Sequence, residues 1–320
     1  MSRRTLPVPE LLGLAREGDR AALARLLSLV ERGGAEAREI GRITYPESDG
    51  GYTVGLTGAP GAGKSTLTSA VIGHLRRGGH EVAVLAIDPS SPFTGGAILG
   101  DRVRMQDHAT DEGVFIRSMA TRGHLGGLSL ATPEAVRLLD AVGKRWMLVE
   151  TVGVGQVEVE IAGKADTTVV VVNPGWGDSV QANKAGLMEI ADVFVINKAD
   201  RKGTEETRRD LEQMLDLSDL AHDAWRPPVV QAIATEQKGV GELWDTVLQH
   251  RDFITASGEL QRRREFRLGE ELREIVARRL EQRARAVLGD GRWVDLQAEV
   301  LAHRVDPWSA ADEMLGPVQG

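Results

Sequence analysis

Residues 58–65 read GAPGAGKS, which fits the pattern Gly-x4-Gly-Lys-[Ser/Thr]. Each position has a task around a nucleoside triphosphate. Gly58, Gly61 and Gly63 let the backbone curl until successive N–H groups face phosphate oxygens. Lys64 reaches the β- and γ-phosphates, and Ser65 offers its hydroxyl to Mg²⁺. A helix beginning here turns its positive end on the same anion. The expected phosphate-binding residues are Gly58, Ala59, Pro60, Gly61, Ala62, Gly63, Lys64, Ser65 and Thr66, with Lys64 also serving the chemistry.

An apolar run at 193–200, VFVINKAD, ends in Asn197, Lys198 and Asp200. A carboxylate at Asp200 can accept from both N1–H and the 2-amino group of guanine, and adenine offers neither in that arrangement. An acceptor left unpaired in a closed site is costly, so this pairing selects guanine. Asn197 and Lys198 brace the base and the phosphate loop. The nucleotide read this way is GTP.

A third stretch, LVETVGVGQ at 148–156, ends an apolar run in Glu150. A carboxylate at a strand tip is where Mg²⁺ is held in such sites, and Gly153 offers an N–H to the γ-phosphate. Two more acids point to the metal: Asp88 ends VLAID, and Asp101 lies in ILGDRVRM. Mg²⁺ takes one or two carboxylates beside phosphate oxygens and water, so Asp88, Asp101 and Glu150 cannot all join Ser65 as direct ligands. Arg104 either meets the phosphates as a catalytic cation or lies on the surface. Val154 stands where many nucleotide switches carry a water-positioning Gln, and Gln156 comes two residues later. Turnover without that group should be slow, and a partner that supplies it adds roughly 10³–10⁵ in rate. The γ-phosphate would order the loops around Asp101 and Gly153, and hydrolysis would release them.

Strands must deliver these loops and helices must cover them. Apolar runs predict strands at 53–57, 81–87, 114–117, 145–150, 167–172, 193–196 and 229–232. Helical spacing predicts helices at 65–77, 133–142, 179–190 and 204–215. That alternation predicts an α/β fold, a largely parallel sheet with helices on both faces. Residues 8–44 have helical periodicity, with Gly33 and Gly34 as a stop. From about Glu242 the strands cease. A long helix at 259–288 carries Leu268, Leu272, Ile275, Val276 and Leu280 on one stripe, and a last helix at 306–315 has Asp306 as its cap and Pro307 in its first position.

The bulk numbers set limits. The 320 residues are 42% hydrophobic and 27% charged, with a net charge of -8. That balance argues against nucleic-acid and anionic-membrane partners, which need clustered positive charge. With no cysteine, disulfides, thiol catalysis and Cys-based zinc sites are excluded. The N-terminus lacks a secretory apolar core, and the most apolar run, at 167–173, is far short of the roughly 20 residues of a membrane span. The expected compartment is the cytoplasm.

Six stretches together resemble the methylmalonyl-CoA mutase-associated GTPases: GAPGAGKSTL, AIDPSSPFTGGAILGDRVRM, FIRSMATRGHLGGLS, VETVGVGQVEVE, LMEIADVFVINKAD and VDPWSAADEML. The likeness runs from about Leu23 to about Leu315. It implies a P-loop NTPase organised as an N-terminal helical extension (1–45), a GTPase domain (46–250) and a C-terminal helical dimerisation arm (251–320). It also implies slow GTP hydrolysis, a homodimer, and binding to an adenosylcobalamin-dependent acyl-CoA mutase. There the GTPase would gate cofactor delivery, protection or reactivation, the cobalamin staying with the mutase and none being bound by this chain. A third switch would lie at 174–186, where Lys184 matches a lysine implicated in hydrolysis once the mutase docks. Ile233, Ala234 and Thr235 stand where the family backs the guanine, with Ile233 in place of a Ser. Val157, Val103, Asn183 and Trp176 also depart from the family pattern, several of them on switches.

Two other readings share parts of this pattern. A nickel-insertion maturation GTPase has the same P-loop and the glutamate-bearing switch, but needs Cys/His metal ligands. A small-molecule kinase would need an acceptor pocket and a base near the γ-phosphate, for which Asp88 could serve.

Overall fold

The computed structural model describes residues 6–48, 50–88, 106–108, 110–120, 131–151, 164–175, 189–217, 221 and 223–316. Seven strands form one sheet: β1 (Tyr52–Thr57), β2 (Val82–Asp88), β3 (Val114–Ala120), β4 (Trp146–Thr151), β5 (Thr167–Val172), β6 (Val193–Asn197) and β7 (Val229–Ala232). Their order is β3-β2-β4-β1-β5-β6-β7, and every pair is parallel. The strands expected from the sequence agree within a residue at each end, except that β3 runs three residues longer, to Ala120. The central strands are buried along their whole length. That is why runs such as TTVVVV are continuously apolar rather than alternating.

Helices cover both faces. On one face, α4 (Lys64–Arg77) and α7 (Val240–Ala256) pack through Leu67, Ile72, Leu75, Leu243, Trp244 and Val247. On the other lie α1 (Val8–Arg16), α2 (Arg20–Arg32), α3 (Ala35–Thr44) and α5 (Ala131–Ala141). These bury Leu11, Leu26 and Leu27 with Leu85, Phe115 and Val149 of the sheet. Beside β6, α6 (Thr204–Asp216) adds Leu211 and Leu215 to a third cluster with Phe194. The 8–44 segment is three helices, so its expected stop at Gly33 and Gly34 is joined by an earlier break. Gly18 has φ +92°, and Asp19 caps α2 by accepting from Ala21 and Ala22 N–H at 2.9 and 3.0 Å. Apolar spacing resumes directly at Ala22, which hides the break. Most of the helix expected at 179–190 lies outside the described residues. The helix α7 goes beyond the predicted set.

The chain divides into two compact units, residues 1–263 and 264–320. The helix α8 (Glu259–Leu288) starts in the first, coincides with the predicted long helix, and continues unbroken into the second. The second unit also holds α9 (Asp290–Leu301), not predicted, and α10 (Pro307–Leu315). Asp306 caps α10 as expected, accepting from Trp308 and Ser309 N–H. Arg292 of α9 pairs with Glu313 of α10. Along α8, Leu268, Leu272, Val276 and Leu280 are 39, 62, 48 and 47% exposed, so this apolar stripe is only partly covered.

Candidate nucleotide site

The sheet changes winding direction at β1, which lies between β4 and β5. The crevice beyond the strand ends at such a point is where open α/β sheets take ligands. The loop after β1 runs through Gly58 to Gly63 into α4. Gly58 has φ +129°, and a Cβ there would lie 2.0 Å from the Val171 carbonyl oxygen of β5. Gly63 caps α4 in the left-handed region at φ +93°, and its Cβ would meet Asn197 Nδ2 at 2.4 Å. The loop is therefore pressed against β5 and the end of β6. Ala62 and Leu67 anchor it in the core, both with no exposed surface (0%).

Lys64 is buried, and its Nζ donates to the Gly58 carbonyl and, at 3.2 Å, to that of Ala59. Its amine is thus held over the mouth of the loop. Ser65, one residue on, donates its hydroxyl to Glu150 Oε1 at 2.6 Å, and both residues are buried. The sheet makes this possible by pairing Leu56 of β1 with Glu150 of β4. A hydroxyl and a carboxylate converging at a helix N-terminus form the hard oxygen set that suits Mg²⁺, so the residues present fit that ion. Thr66 is exposed on the first turn of α4.

The end of the site expected to take the base is built around one amide. Asn197 Nδ2 donates to the Ala62 carbonyl at 3.0 Å, and Asn197 Oδ1 accepts the Ala234 N–H at 3.2 Å. This residue ties the phosphate loop to the loop after β7. Lys198, left-handed at φ +59°, lays its Nζ on the Gly61 carbonyl at 2.6 Å. The Ala199 N–H donates to the Ala232 carbonyl at 3.0 Å, so the turn is also fastened to β7. Asp200 comes next and is exposed. Ile233 bridges Lys238 in antiparallel fashion with Gln237 left-handed, a tight turn that presents Ala234, with Thr235 exposed beside it. Glu236 pairs with Lys238, which raises the lysine pKa.

The residues predicted at 58–66, Glu150, Asn197, Lys198, Asp200 and 233–235 thus meet along the carboxyl ends of β1, β4, β6 and β7. Asp88 ends β2, whose Ile87 pairs with Thr151 of β4. Asp101, Arg104, Gly153 and Lys184 lie outside the described residues. Thr204 was not anticipated. Its hydroxyl donates to the Ala199 and Arg201 carbonyls at 3.1 and 2.8 Å and closes the turn that carries Asp200. Its signal was local, a Gly-Thr pair opening a helix just after Asp200.

A family model described as "Methylmalonyl Co-A mutase-associated GTPase MeaB" matches residues 23–288. A protein of Pyrococcus abyssi named as a GTPase is 52% identical over 315 residues, covering 98% of this chain and 97% of that protein. The "Methylmalonic aciduria type A homolog, mitochondrial" of Mus musculus is 36% identical over 266 residues, covering 78% of this chain and 64% of that protein. A crystal structure of a LAO/AO transport system kinase superposes with a TM-score of 0.72 at 30% identity, covering 96% of each chain.

Proposed function

Since the chain belongs to the methylmalonyl-CoA mutase-associated GTPase family and is itself a GTPase, we propose that it is a GTP-driven chaperone of an adenosylcobalamin-dependent acyl-CoA mutase. It binds that mutase and gates cofactor delivery, protection or reactivation, while the cobalamin remains on the client. The observation that carries the nucleotide half of this reading is the Asn197 amide, which joins the phosphate loop to the two loops beside the base.

In this reading the loop N–H groups from Gly58 to Thr66 cradle the phosphates, and Lys64 swings from its carbonyl partners to the β- and γ-oxygens. Ser65 and Glu150 would hold Mg²⁺, and the ion would supply positive charge beside the phosphates. Asp88 or Asp101 supplies a further oxygen or a water-mediated contact, and Gly153 donates to the γ-phosphate. Asp200 reads guanine, with Ile233, Ala234 and Thr235 behind the base. With Val154 in the water-positioning place, turnover by the chain alone is slow. Lys184 takes part in hydrolysis once the mutase docks, and Arg104 is a further cation for the phosphates. The partly exposed Leu268–Leu280 stripe of α8 supports a homodimer built through the C-terminal arm, and the chain works in the cytoplasm. No described helix is long and apolar enough to cross a membrane.

The absence of cysteine disfavours the nickel-insertion reading, and Asp200 after Asn197-Lys198 disfavours an ATP-using kinase. Gel filtration of the purified chain with an acyl-CoA mutase tests the partnership. A complex whose stability differs between GDP and a non-hydrolysable GTP analogue is expected. Independent elution under both nucleotides would reject the partnership.

A further inference from the structure

At the end of the sheet opposite the P-loop, a chain of buried polar groups joins three strands to the root of α8. Tyr52 opens β1, Thr167 opens β5, and Asp192 stands directly before β6. The Tyr52 hydroxyl lies 2.6 Å from Thr167 Oγ1, which lies 2.7 Å from Nδ1 of His250 on α7. The other ring nitrogen, Nε2, faces Asp192 Oδ1 at 3.2 Å, and His250 has no exposed surface (0%). Asp192 also accepts the Thr168 N–H at 2.7 Å and Arg263 Nη1 at 3.0 and 3.2 Å. Glu259, one turn earlier on α8, braces Arg263 at 3.2 Å. Trp225 seals the cluster. Its Nε1 donates to the Asp192 carbonyl at 2.7 Å, and its ring meets His250 edge-on at 5.0 Å.

The links have a consistent direction. Asp192 Oδ1 lies beside Nε2 and the Thr167 hydroxyl lies at Nδ1, so a ring proton on Nε2 would let Nδ1 accept from Thr167. The Thr167 oxygen then accepts from Tyr52, whose phenol burial holds above its ordinary range and therefore protonated. Asp192 is buried and Arg263, its partner, is partly exposed, so removing the arginine leaves a buried carboxylate short of its cation.

The choice of strands carries the argument. The three that begin here end in the P-loop at Gly58, the turn at Asn173–Gly175 and the guanine-side residues Asn197–Asp200. The compact unit that holds the sheet ends at Arg263, while α8 runs on into the second unit. We propose that Asp192 and Arg263 are positioning residues that tie the root of α8 to β1, β5 and β6, so that load applied to the C-terminal arm changes the grip on the nucleotide. The inference rests on the reading of residues 197–200 as the guanine site. Coupling of this kind is reciprocal, so nucleotide binding should also change how firmly the root of α8 is held.

Release of a fluorescent GDP analogue from the full-length chain tests it, with thermal unfolding measured in parallel. Arg263→Gln is expected to change the release rate by about fivefold or more, and Arg263→Lys to restore it to within about twofold. Glu259→Gln, which removes only the brace, should shift release in the same direction by less. If Arg263→Gln melts earlier yet releases GDP at the wild-type rate, the cluster is a structural staple and the coupling is wrong. Should Arg263→Gln fail to fold, an unchanged release rate in Glu259→Gln overturns the proposal equally. Wild-type protein that binds no GDP would defeat the guanine-site reading, and the coupling with it.

Discussion

Replacing Asn197 by Ala removes an amide that is 2% exposed and serves two backbone groups at once. The Ala62 carbonyl loses its donor at 3.0 Å and the Ala234 N–H loses its acceptor at 3.2 Å. Each buried group left without a partner costs about 1–3 kcal/mol, so about 2–6 kcal/mol of stability should go if no water enters. At about 2–4 °C per kcal/mol, the melting temperature should fall by roughly 4–24 °C. Nucleotide affinity should fall too, because the amide sets the P-loop against the base-side loops. Asn197→Asp is the informative companion. It can still accept from Ala234 but turns a carboxylate oxygen on the Ala62 carbonyl, so it should be at least as damaging as Ala. Thermal unfolding and equilibrium binding of a fluorescent GTP analogue measure both effects. The account of the site as one fastened unit is refuted if Asn197→Ala melts within about 2 °C of wild type, since that is at most about 1 kcal/mol, and binds GTP equally well.

Other expectations follow from the same geometry. Gly58→Ala forces a Cβ to 2.0 Å from the Val171 carbonyl oxygen and should abolish nucleotide binding, whereas Gly61→Ala meets open space and bears only the backbone strain of its φ of +77°, so it should weaken binding less. Competition binding of the two variants separates them, and equal behaviour would contradict the packing argument. Asp200→Asn should weaken GTP by about 10²-fold, the loss of two charge-assisted bonds of about 1.5 kcal/mol each. The same change should strengthen xanthosine triphosphate, whose 2-oxo group accepts from the new amide; unaltered base preference would remove Asp200 from the site. At Asp192, burial would raise the carboxyl, but His250, Arg263 and the Thr168 N–H more than offset it and hold it below the ordinary range. A depressed acid stabilises the fold above its unfolded pKa of about 3.9 and loses that contribution as pH falls through the folded value. The melting temperature should therefore drop below about pH 4, and Asp192→Asn, less stable at neutral pH, should show a shallower drop.

Much of the site was legible because ligand chemistry dictates residue type. A loop that approaches phosphate needs glycine at Gly58 and Gly63, and guanine needs an acceptor such as Asp200. Ser65 and Glu150 were assigned to the metal from separate motifs, and the β1–β4 pairing brings them to hydrogen-bonding distance. The strands were legible because a doubly covered parallel sheet demands continuous apolar runs. The Gly18–Asp19 break was not, since the apolar period barely falters across it. The cluster of Tyr52, Thr167, Asp192, His250 and Arg263 was invisible for a different reason. Its members are scattered over some two hundred positions and meet only because parallel strands bring their amino ends together.

The most direct test is GTP hydrolysis by the purified chain, alone and with an acyl-CoA mutase loaded with adenosylcobalamin. The account predicts slow turnover alone, a rise with the mutase of up to roughly 10³–10⁵-fold, and loss of that rise in Lys184→Ala. Slow turnover that the mutase leaves unchanged would contradict it and leave a GTPase with a different client.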